Sequence, residues 1–361
     1  MPGLIALTLA SGALFAVGCG DSDSDSSSTS TPAATSAETT ASTTASTTKD
    51  VTGKKIAYVE IFLQAPIEKR VNDVFNAAAD KFDWDVNTTD AKGDGQTVSQ
   101  QFTAAINSNV DAIVTSAEPL LVRGPLEAAK KKNIPVIYLG GENTHGLDNL
   151  ITGLYNEDDT ALSDILGKKI CEDNDPGTKV AILRFDLFYS GKIRGDVIKK
   201  MAEACGLDVV AEPATEQTFA DAEQKTSAVV TQNPDLGVVV PVYDTFTAGA
   251  VQAIKAAGKA DQTKVYSYYA DGVNNPLMRD NKNIVALTDT THGYGAAYAV
   301  DRLAAYFANG EAIPKSPPKG LIGYQIITQD NIPPEGQDGP LPVQDYVDKF
   351  LPDWQQEYGI K

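Results

Sequence analysis

The sequence predicts an α/β fold of two doubly wound parallel-sheet lobes that are joined by a three-segment hinge. From about residue 54, β-branched apolar runs alternate with helix-periodic segments, which is the pattern of a parallel sheet with helical crossovers. The plan occurs twice at one offset, because 54–59 resembles 178–183 and 109–114 resembles 233–238, in both cases 124 positions later. A chain of 361 residues is long enough for two such domains. We therefore expect two similar lobes with a ligand site between them.

The N-terminal region predicts export. An apolar run over 4–17 is too short to span a membrane and has the length of a signal-peptide core, so 1–18 is predicted to be a signal peptide. The segment Ala16-Val17-Gly18-Cys19 resembles the lipobox of bacterial lipoproteins, in which the cysteine is acylated. We expect Cys19 to be the lipid anchor, with an incidental cysteine as the alternative. No Lys or Arg precedes the apolar run, so the sequence leaves open whether Met1 is the true start of translation.

A Ser/Thr-rich segment follows over 19–50 and contains no aromatic residue. Such a composition cannot bury enough apolar surface to offset the entropy of ordering the chain. We interpret this segment as a tether that holds the lobes near the outer surface of a bacterial cell membrane.

The composition also excludes several functions. With 30 basic against 48 acidic residues the net charge is -18, so a nucleic-acid partner is disfavoured. The two histidines, His145 and His292, have no nucleophile or metal-ligand spacing around them, and no nucleotide-binding glycine motif occurs. We expect no catalytic residue, no cofactor and no metal, and we expect a monomer.

The first lobe is predicted from its apolar periodicity. A strand over 56–61 precedes a helix that Pro66 starts at its first position. Further strands are predicted at 86, 112–115 and 136–139, with helices over 98–107 and 121–132.

The second lobe repeats this alternation. Its strands are predicted at 180–185, 209–210, 238–240 and 265–268, and its helices at 192–204, 222–231 and 246–257.

Three crossings between the lobes are predicted. They are the segment 150–156 with its following helix 158–170, the strand 284–287 with its following helix 295–308, and the return into a last strand over 320–327. The first lobe is then 51–153 plus about 290–318, and the second is 154–289 plus about 319–361, which ends in an amphipathic stretch over 343–358. Three crossings form a hinge that lets the lobes close over a small molecule.

Cys171 and Cys205 lie in the exported part, where oxidising conditions favour a disulfide. Two buried free thiols are the alternative.

Four further features carry a family resemblance. They are strand 55–60 with its Pro-started helix, Asn133-Ile134-Pro135-Val136-Ile137, Ala253-Ile254-Lys255-Ala256-Ala257-Gly258-Lys259, and Tyr269-Ala270-Asp271-Gly272. From Lys54 to about Thr328 the chain resembles the type I periplasmic binding proteins, especially the ribose-binding group. The resemblance implies an extracytoplasmic solute-binding protein that serves the permease of an ABC importer.

The resemblance also implies ligand-binding positions at the ends of the strands, and many of them differ from the ribose group. Ile67 and Glu68 replace two stacking Phe residues, Phe62 is a candidate substitute, and Gly140-Gly141 replaces an Asp-Arg pair. The ligand-binding residues predicted in this way and from strand-end chemistry are Phe62, Glu68, Ser116, Glu118, Gly141, Lys192, Phe219, Tyr243, Asp271 and Asp289. For the aromatic residues the alternative is core packing, for Asp271 a turn, and for Asp289 a helix cap.

We therefore expect capture of a small polar ligand, a sugar or polyol that is neutral or mildly cationic, and delivery to an ABC importer. The alternatives are a receptor that feeds a membrane sensor kinase, or binding of a nucleoside or an aromatic compound. An enzyme on the same lobes is not expected.

Overall fold

The computed structural model of the protein describes residues 50–216 and 218–361. The predicted signal peptide 1–18, the predicted lipid anchor Cys19 and nearly all of the tether therefore lie outside the described residues.

The first lobe contains a five-stranded parallel sheet with the strand order β2-β1-β3-β4-β5. Its strands are β1 (Lys55–Glu60), β2 (Asp85–Asp90), β3 (Ala112–Thr115), β4 (Val136–Tyr138) and β5 (Gly153–Leu154). The crossover helices are α1 (Pro66–Asp80), α2 (Gly95–Asn107) and α3 (Arg123–Lys131).

The second lobe contains a six-stranded sheet with the order β11-β10-β9-β8-β6-β7, in which only β11 is antiparallel to its neighbour. Its strands are β6 (Lys179–Leu183), β7 (Asp208–Ala211), β8 (Val238–Pro241), β9 (Lys264–Tyr268), β10 (Ile284–Thr290) and β11 (Tyr324–Ile327). The remaining helices are α4 (Asp159–Asp173), α5 (Tyr189–Ala204), α6 (Phe219–Gln232), α7 (Asp244–Ala256), α8 (Asn274–Asp280), α9 (Gly293–Asn309), α10 (Val343–Asp348) and α11 (Leu351–Tyr358).

The two sheets share one topology. Without the antiparallel β11, the order β7-β6-β8-β9-β10 repeats the order β2-β1-β3-β4-β5 strand for strand. The fold of two doubly wound parallel-sheet lobes is thus confirmed. Parallel sheets with one strand order also place the carboxyl ends of equivalent strands at equivalent edges, where open α/β sheets bind ligands.

Local sequence explains where the elements of the first lobe begin. Five of the six β1 residues are buried, as expected for a parallel strand covered by helices on both faces. Pro66 occupies the first turn of α1, where its missing N–H is not needed. Asp94 caps α2 by accepting a hydrogen bond from the Thr97 backbone N–H at 2.6 Å.

Three helices of the second lobe begin earlier than predicted. The helices expected from 192, 222 and 246 start at Tyr189, Phe219 and Asp244. The loops at the carboxyl ends of the preceding strands are therefore shorter than expected, and the first turns of these helices lie at the edge of the sheet.

An ion pair joins α1 to β10 at the hinge. Arg70 Nη2 lies 2.7 Å from Asp289 Oδ1, and both side chains are at most 2% exposed. The backbone of Gly339 packs directly on Arg70, since an added Cβ would lie 1.8 Å from Nη1, and its φ of +82° also favours glycine.

The C-terminal tail contacts both lobes. β11 extends the second sheet, but α10 then packs on α1 and α9, and the Trp354 indole N–H donates a hydrogen bond to Asp301 on α9 at 2.8 Å. Helix α9 in turn contacts the first lobe through the rings of Phe307 and Trp84. The segment that we assigned to the second lobe over 319–361 therefore ends on helices of the first.

A disulfide links Cys171 in α4 to Cys205 at the end of α5, with 6.0 Å between the Cα atoms. None of the helices in residues 50–216 and 218–361 combines the length and the apolar character that a membrane crossing requires.

Candidate functional site

A cleft lies between the carboxyl ends of the two sheets. Its walls are the loops after β1, β3, β4 and β5 on one side and those after β6, β8 and β9 on the other. The empty space between the walls, including the part open to solvent, measures about 890 Å³. Its polar and aromatic lining residues are Phe62, Glu68, Ser116, Glu118, Tyr138, Asn143, Glu157, Phe188, Tyr189, Ser190, Arg194, Tyr243, Asp244, Thr245 and Tyr269.

Arg194 is the cation of the cleft. It comes from the second turn of α5 and is 4% exposed. Its Nε donates to Asp159 Oδ1 at 2.8 Å, and its Nη2 donates to Glu157 Oε1 at 3.0 Å and to the Tyr269 hydroxyl. Its guanidinium also lies 4.8 Å from the ring centre of Tyr243. The charge of Arg194 is thus held and compensated by the protein itself.

Glu157 lines the cleft and accepts a hydrogen bond from Arg194. The Tyr269 hydroxyl donates a hydrogen bond to its Oε1 at 2.7 Å, whereas its buried Oε2 accepts no hydrogen bond from the described residues. Burial raises the pKa of Glu157 to about 7, although the neighbouring Arg194 opposes this shift. An unpartnered carboxylate oxygen in a cleft is a group that a ligand donor can reach.

Glu68 extends from the first turn of α1 and is half-buried on the wall of the first lobe. Burial, followed by the carboxylates of Glu60 and Glu157, raises its pKa well above the ordinary range.

Glu60 and Ser116 form a buried pair in the first lobe, and Ser116 also lines the cleft. The Ser116 hydroxyl donates to Glu60 Oε1, which also accepts the backbone N–H of Ile61 at 2.8 Å and of Phe62 at 3.2 Å. Burial raises the pKa of Glu60 to about 7 despite these bonds. The pair fixes the loop after β1, on which Phe62 lies.

On the second lobe, Asp244 and Asp271 form a carboxyl pair. Asp271 Oδ1 accepts the backbone N–H of Val273 and of Asn274, so this aspartate also organises the start of α8. Burial, and then the carboxylate of Asp244, raise the pKa of Asp271 well above the ordinary range, because two adjacent carboxylates do not both ionise readily. Burial raises the pKa of Asp244 as well.

Two contacts join the lobes across the mouth of the cleft. The Tyr189 backbone N–H donates to Glu118 Oε1 at 2.8 Å, and the rings of Tyr189 and His145 meet edge to face at 5.3 Å. A Cβ on Gly141 would lie 3.4 Å from the Cβ of Ser190. The first lobe therefore approaches α5 closely at these points.

The structure brings together six of the ten predicted ligand-binding residues. Those that line the cleft are Phe62, Glu68, Ser116, Glu118, Gly141 and Tyr243. Asp271 lies behind them, next to Asp244.

The other three predicted residues lie elsewhere. Lys192 is half exposed and pairs with Asp196 one turn along α5. Residues two positions apart on a helix point in nearly opposite directions, so Lys192 points away from the cleft that Arg194 faces. Phe219 is 48% exposed at the start of α6 and does not line the cleft. Asp289 forms an ion pair with Arg70 at the hinge.

Arg194, Glu157 and Asp244 line the cleft but were not predicted to bind the ligand. One sequence feature indicated Arg194, since it follows Arg70 by the same 124 positions that relate the two lobes. Both arginines are buried and ion-paired with an aspartate, Arg70 with Asp289 and Arg194 with Asp159.

Comparisons with known proteins agree with this architecture. A family model described as a periplasmic binding protein domain matches residues 56–312. A D-ribose/D-allose-binding protein of Pseudomonas aeruginosa is 26% identical over 102 residues, and this alignment spans 28% of the chain and 32% of that relative. The chain thus aligns with about a third of the length of the curated relative.

Solved structures match over much more of the chain. A 5-methylthioribose transporter solute binding protein from Thermotoga lettingae has a TM-score of 0.67 at 24% identity, and the match covers 83% of this chain and 98% of that one. A solute binding protein of an ABC transporter from Actinobacillus succinogenes, with bound D-allose, has a TM-score of 0.69 at 19% identity and covers 77% and 98%. At these identities the likeness shows the fold.

Proposed function

Because the chain belongs to the periplasmic binding protein family, we propose that it is an extracytoplasmic solute-binding protein which captures a sugar or polyol and delivers it to an ABC importer. The observation that carries this proposal is the cleft, in which polar groups and aromatic faces from both lobes converge. Carboxylates, hydroxyls and aromatic rings are the groups that bind sugar hydroxyls and stack on sugar rings. The printed ligands of the related proteins, which are ribose, allose and methylthioribose, support the same class of solute.

The proposed mechanism is closure of the lobes over the ligand. The first lobe contributes Phe62 and Glu68, and the second contributes Tyr243 and Asp244. A ligand that contacts both walls binds the closed form more tightly than the open form, so it shifts the equilibrium toward closure. The permease of the importer then distinguishes loaded from empty protein by its shape.

We propose in addition that Cys19 carries a lipid anchor, that 20–49 is the tether, and that the protein acts as a monomer. The anchor is supported by the small residues before Cys19 and by the Ser/Thr-rich composition after it. Mass analysis of the N-terminal peptide from membrane-extracted protein tests this, and an unmodified Cys19 would contradict it.

A thermal-shift screen tests the function, because a ligand that binds only the native state raises the apparent melting temperature. The panel contains pentoses, hexoses, polyols, nucleosides and aromatic acids. We expect at least one sugar or polyol to stabilise the protein and to be recovered intact after long incubation. Stabilisation by nucleosides or aromatic acids alone would overturn the sugar proposal, and a chemically changed sugar would indicate an enzyme.

A further inference from the structure

Acidic side chains outnumber basic ones among the residues that line the cleft. Four carboxylates line it, namely Glu68, Glu118, Glu157 and Asp244, and Arg194 is the single Lys or Arg side chain among the described lining residues. Arg194 directs its three nitrogens to protein acceptors, which are Asp159, the Val242 carbonyl and Glu157. The charge of Arg194 is therefore already compensated. Among the described residues, Glu68 and Asp244 form no ion pair, and Glu118 has only His145, at 3.9 Å.

A second observation points to a ligand donor. Glu157 is 4% exposed and lines the cleft, yet its Oε2 accepts no hydrogen bond from the described residues. A buried carboxylate oxygen without a donor is costly, so proteins satisfy such atoms with a ligand or water. Glu68 lies on the same wall and has no ion pair among the described residues.

The donor–acceptor balance favours an ammonium group over a hydroxyl. Ionised carboxylates only accept hydrogen bonds, whereas each sugar hydroxyl both donates and accepts. Several lining hydroxyls already have protein partners, because those of Ser190 and Tyr243 bind each other and the Ser116 hydroxyl binds Glu60, whereas the Thr245 hydroxyl has none among the described residues. A protonated amine offers three donors and needs no acceptor, so it suits this wall better than a further hydroxyl.

Electrostatics and aromatic faces agree with this assignment. Burial raises the pKa of Glu68 and of Glu157, and a cation bound beside them would favour their ionised forms. Aromatic rings at the rim, those of Phe62 and Phe188 among them, can also face a cation.

We infer that the solute is an amino sugar or amino polyol whose protonated amine binds next to Glu68 and Glu157, while its hydroxyls contact the rest of the cleft. This inference rests on the proposed function and narrows it from sugars and polyols in general to their cationic amino derivatives. It also sets the orientation, since the amine faces the wall formed by the start of α1 and the loop after β5.

The test compares matched ligand pairs by titration calorimetry on the mature chain. The probes are D-glucosamine against D-glucose, 1-amino-1-deoxysorbitol against sorbitol, and N-acetyl-D-glucosamine, which keeps the nitrogen without its charge. We expect at least one amine to bind about tenfold or more tightly than its neutral partner, and the preference to weaken in high salt because it is electrostatic. The Glu68→Gln variant should lower the affinity for the amine about tenfold and lower the affinity for the neutral partner less, so that the preference for the amine shrinks, because only the amine loses a bond to an ionised carboxylate.

The control is Glu335→Gln, which changes an exposed glutamate outside the cleft by the same chemistry. Circular dichroism verifies that Glu68→Gln folds, and this is expected because the side chain is half-buried and has no ion pair to lose. If neutral sugars bind as tightly as their amines, the inference is overturned and the proposed function stands. If no sugar or polyol binds in either form, the proposed function is overturned as well.

Discussion

Arg194 is the residue on which the order of the cleft depends most. It is buried with Asp159 and Glu157 and packs against three tyrosine rings. A buried ion pair adds little net stability compared with an apolar contact, but removal of one partner leaves an uncompensated buried charge.

We therefore predict that Arg194→Ala lowers the free energy of unfolding by about 3–5 kcal/mol in urea denaturation. Lys192→Ala is the control on the same helix, and it should cost about 0.5 kcal/mol or less because its pair with Asp196 is half exposed. Equal losses in the two variants would contradict the view that Arg194, and not Lys192, is the organising cation.

Glu60 gives the protein a pH dependence of known sign. Its pKa is raised from 4.5 to about 7 in the folded state, so the native protein binds more protons than the unfolded chain between these values. The stability that Glu60 contributes is therefore full below about pH 4.5 and is lost as the pH rises through 7. The displacement corresponds to roughly 3 kcal/mol.

We predict that Glu60→Gln, which keeps an acceptor for the backbone N–H groups of Ile61 and Phe62, removes this loss. At each pH the measured quantity is the free energy of unfolding of the variant minus that of the native protein. This difference should be about 1–3 kcal/mol more favourable to the variant at pH 8 than at pH 5. Urea denaturation at the two pH values measures the difference, with Glu335→Gln as the exposed control. A stability difference that does not change with pH would mean that Glu60 titrates normally.

At the scale of elements, periodic apolar runs were sufficient to predict the sheets. Strands such as β3 and β8 are fully buried, so their apolar character depends on the fold and not on the ligand. The internal repeat predicted that the two lobes have one topology. These features follow from which residues are buried, and burial shows in the sequence as apolar runs and apolar periodicity.

The first residues of the helices were harder to predict, and some of them line the cleft. Tyr189 and Asp244 open α5 and α7, and the residues before them, Phe188 and Tyr243, make no side-chain cap hydrogen bond. Without a Ser, Thr, Asp or Asn cap, no local pattern marks the first turn. The missed two or three residues in these helices include Tyr189 and Asp244, which line the cleft.

The role of individual cleft residues depends on contacts between distant segments. Lys192 was predicted to bind the ligand and Arg194 was not, but the two side chains point in different directions from α5 and only Arg194 lines the cleft. Asp289 was expected to contact the ligand, but it accepts hydrogen bonds from Arg70, which lies 219 residues earlier in the chain. Such pairings follow from tertiary packing, so the sequence predicted a cleft between the lobes better than it predicted the side chains that line it.

For the whole molecule, the proposed closure can be tested at Gly141, where the two lobes approach closely. This residue follows β4 of the first lobe, whereas its neighbours Asp159 and Ser190 belong to α4 and α5 of the second. A Cβ at this position would lie 3.0 Å from Asp159 Oδ2 and 3.4 Å from Ser190 Cβ, so a branched side chain has no room in this arrangement of the lobes.

We predict that Gly141→Val holds the lobes apart. Ligand affinity should fall about tenfold or more, because the closed form that binds both walls is penalised. The radius of gyration from small-angle X-ray scattering at saturating ligand should stay nearer the ligand-free value than in the native protein. Gly124→Val is the matched control, since an added Cβ there meets no atom within 4 Å. A variant that loses affinity but still closes fully would show that Gly141 acts only through direct contact with the ligand, and hinge closure would then lose its main steric support.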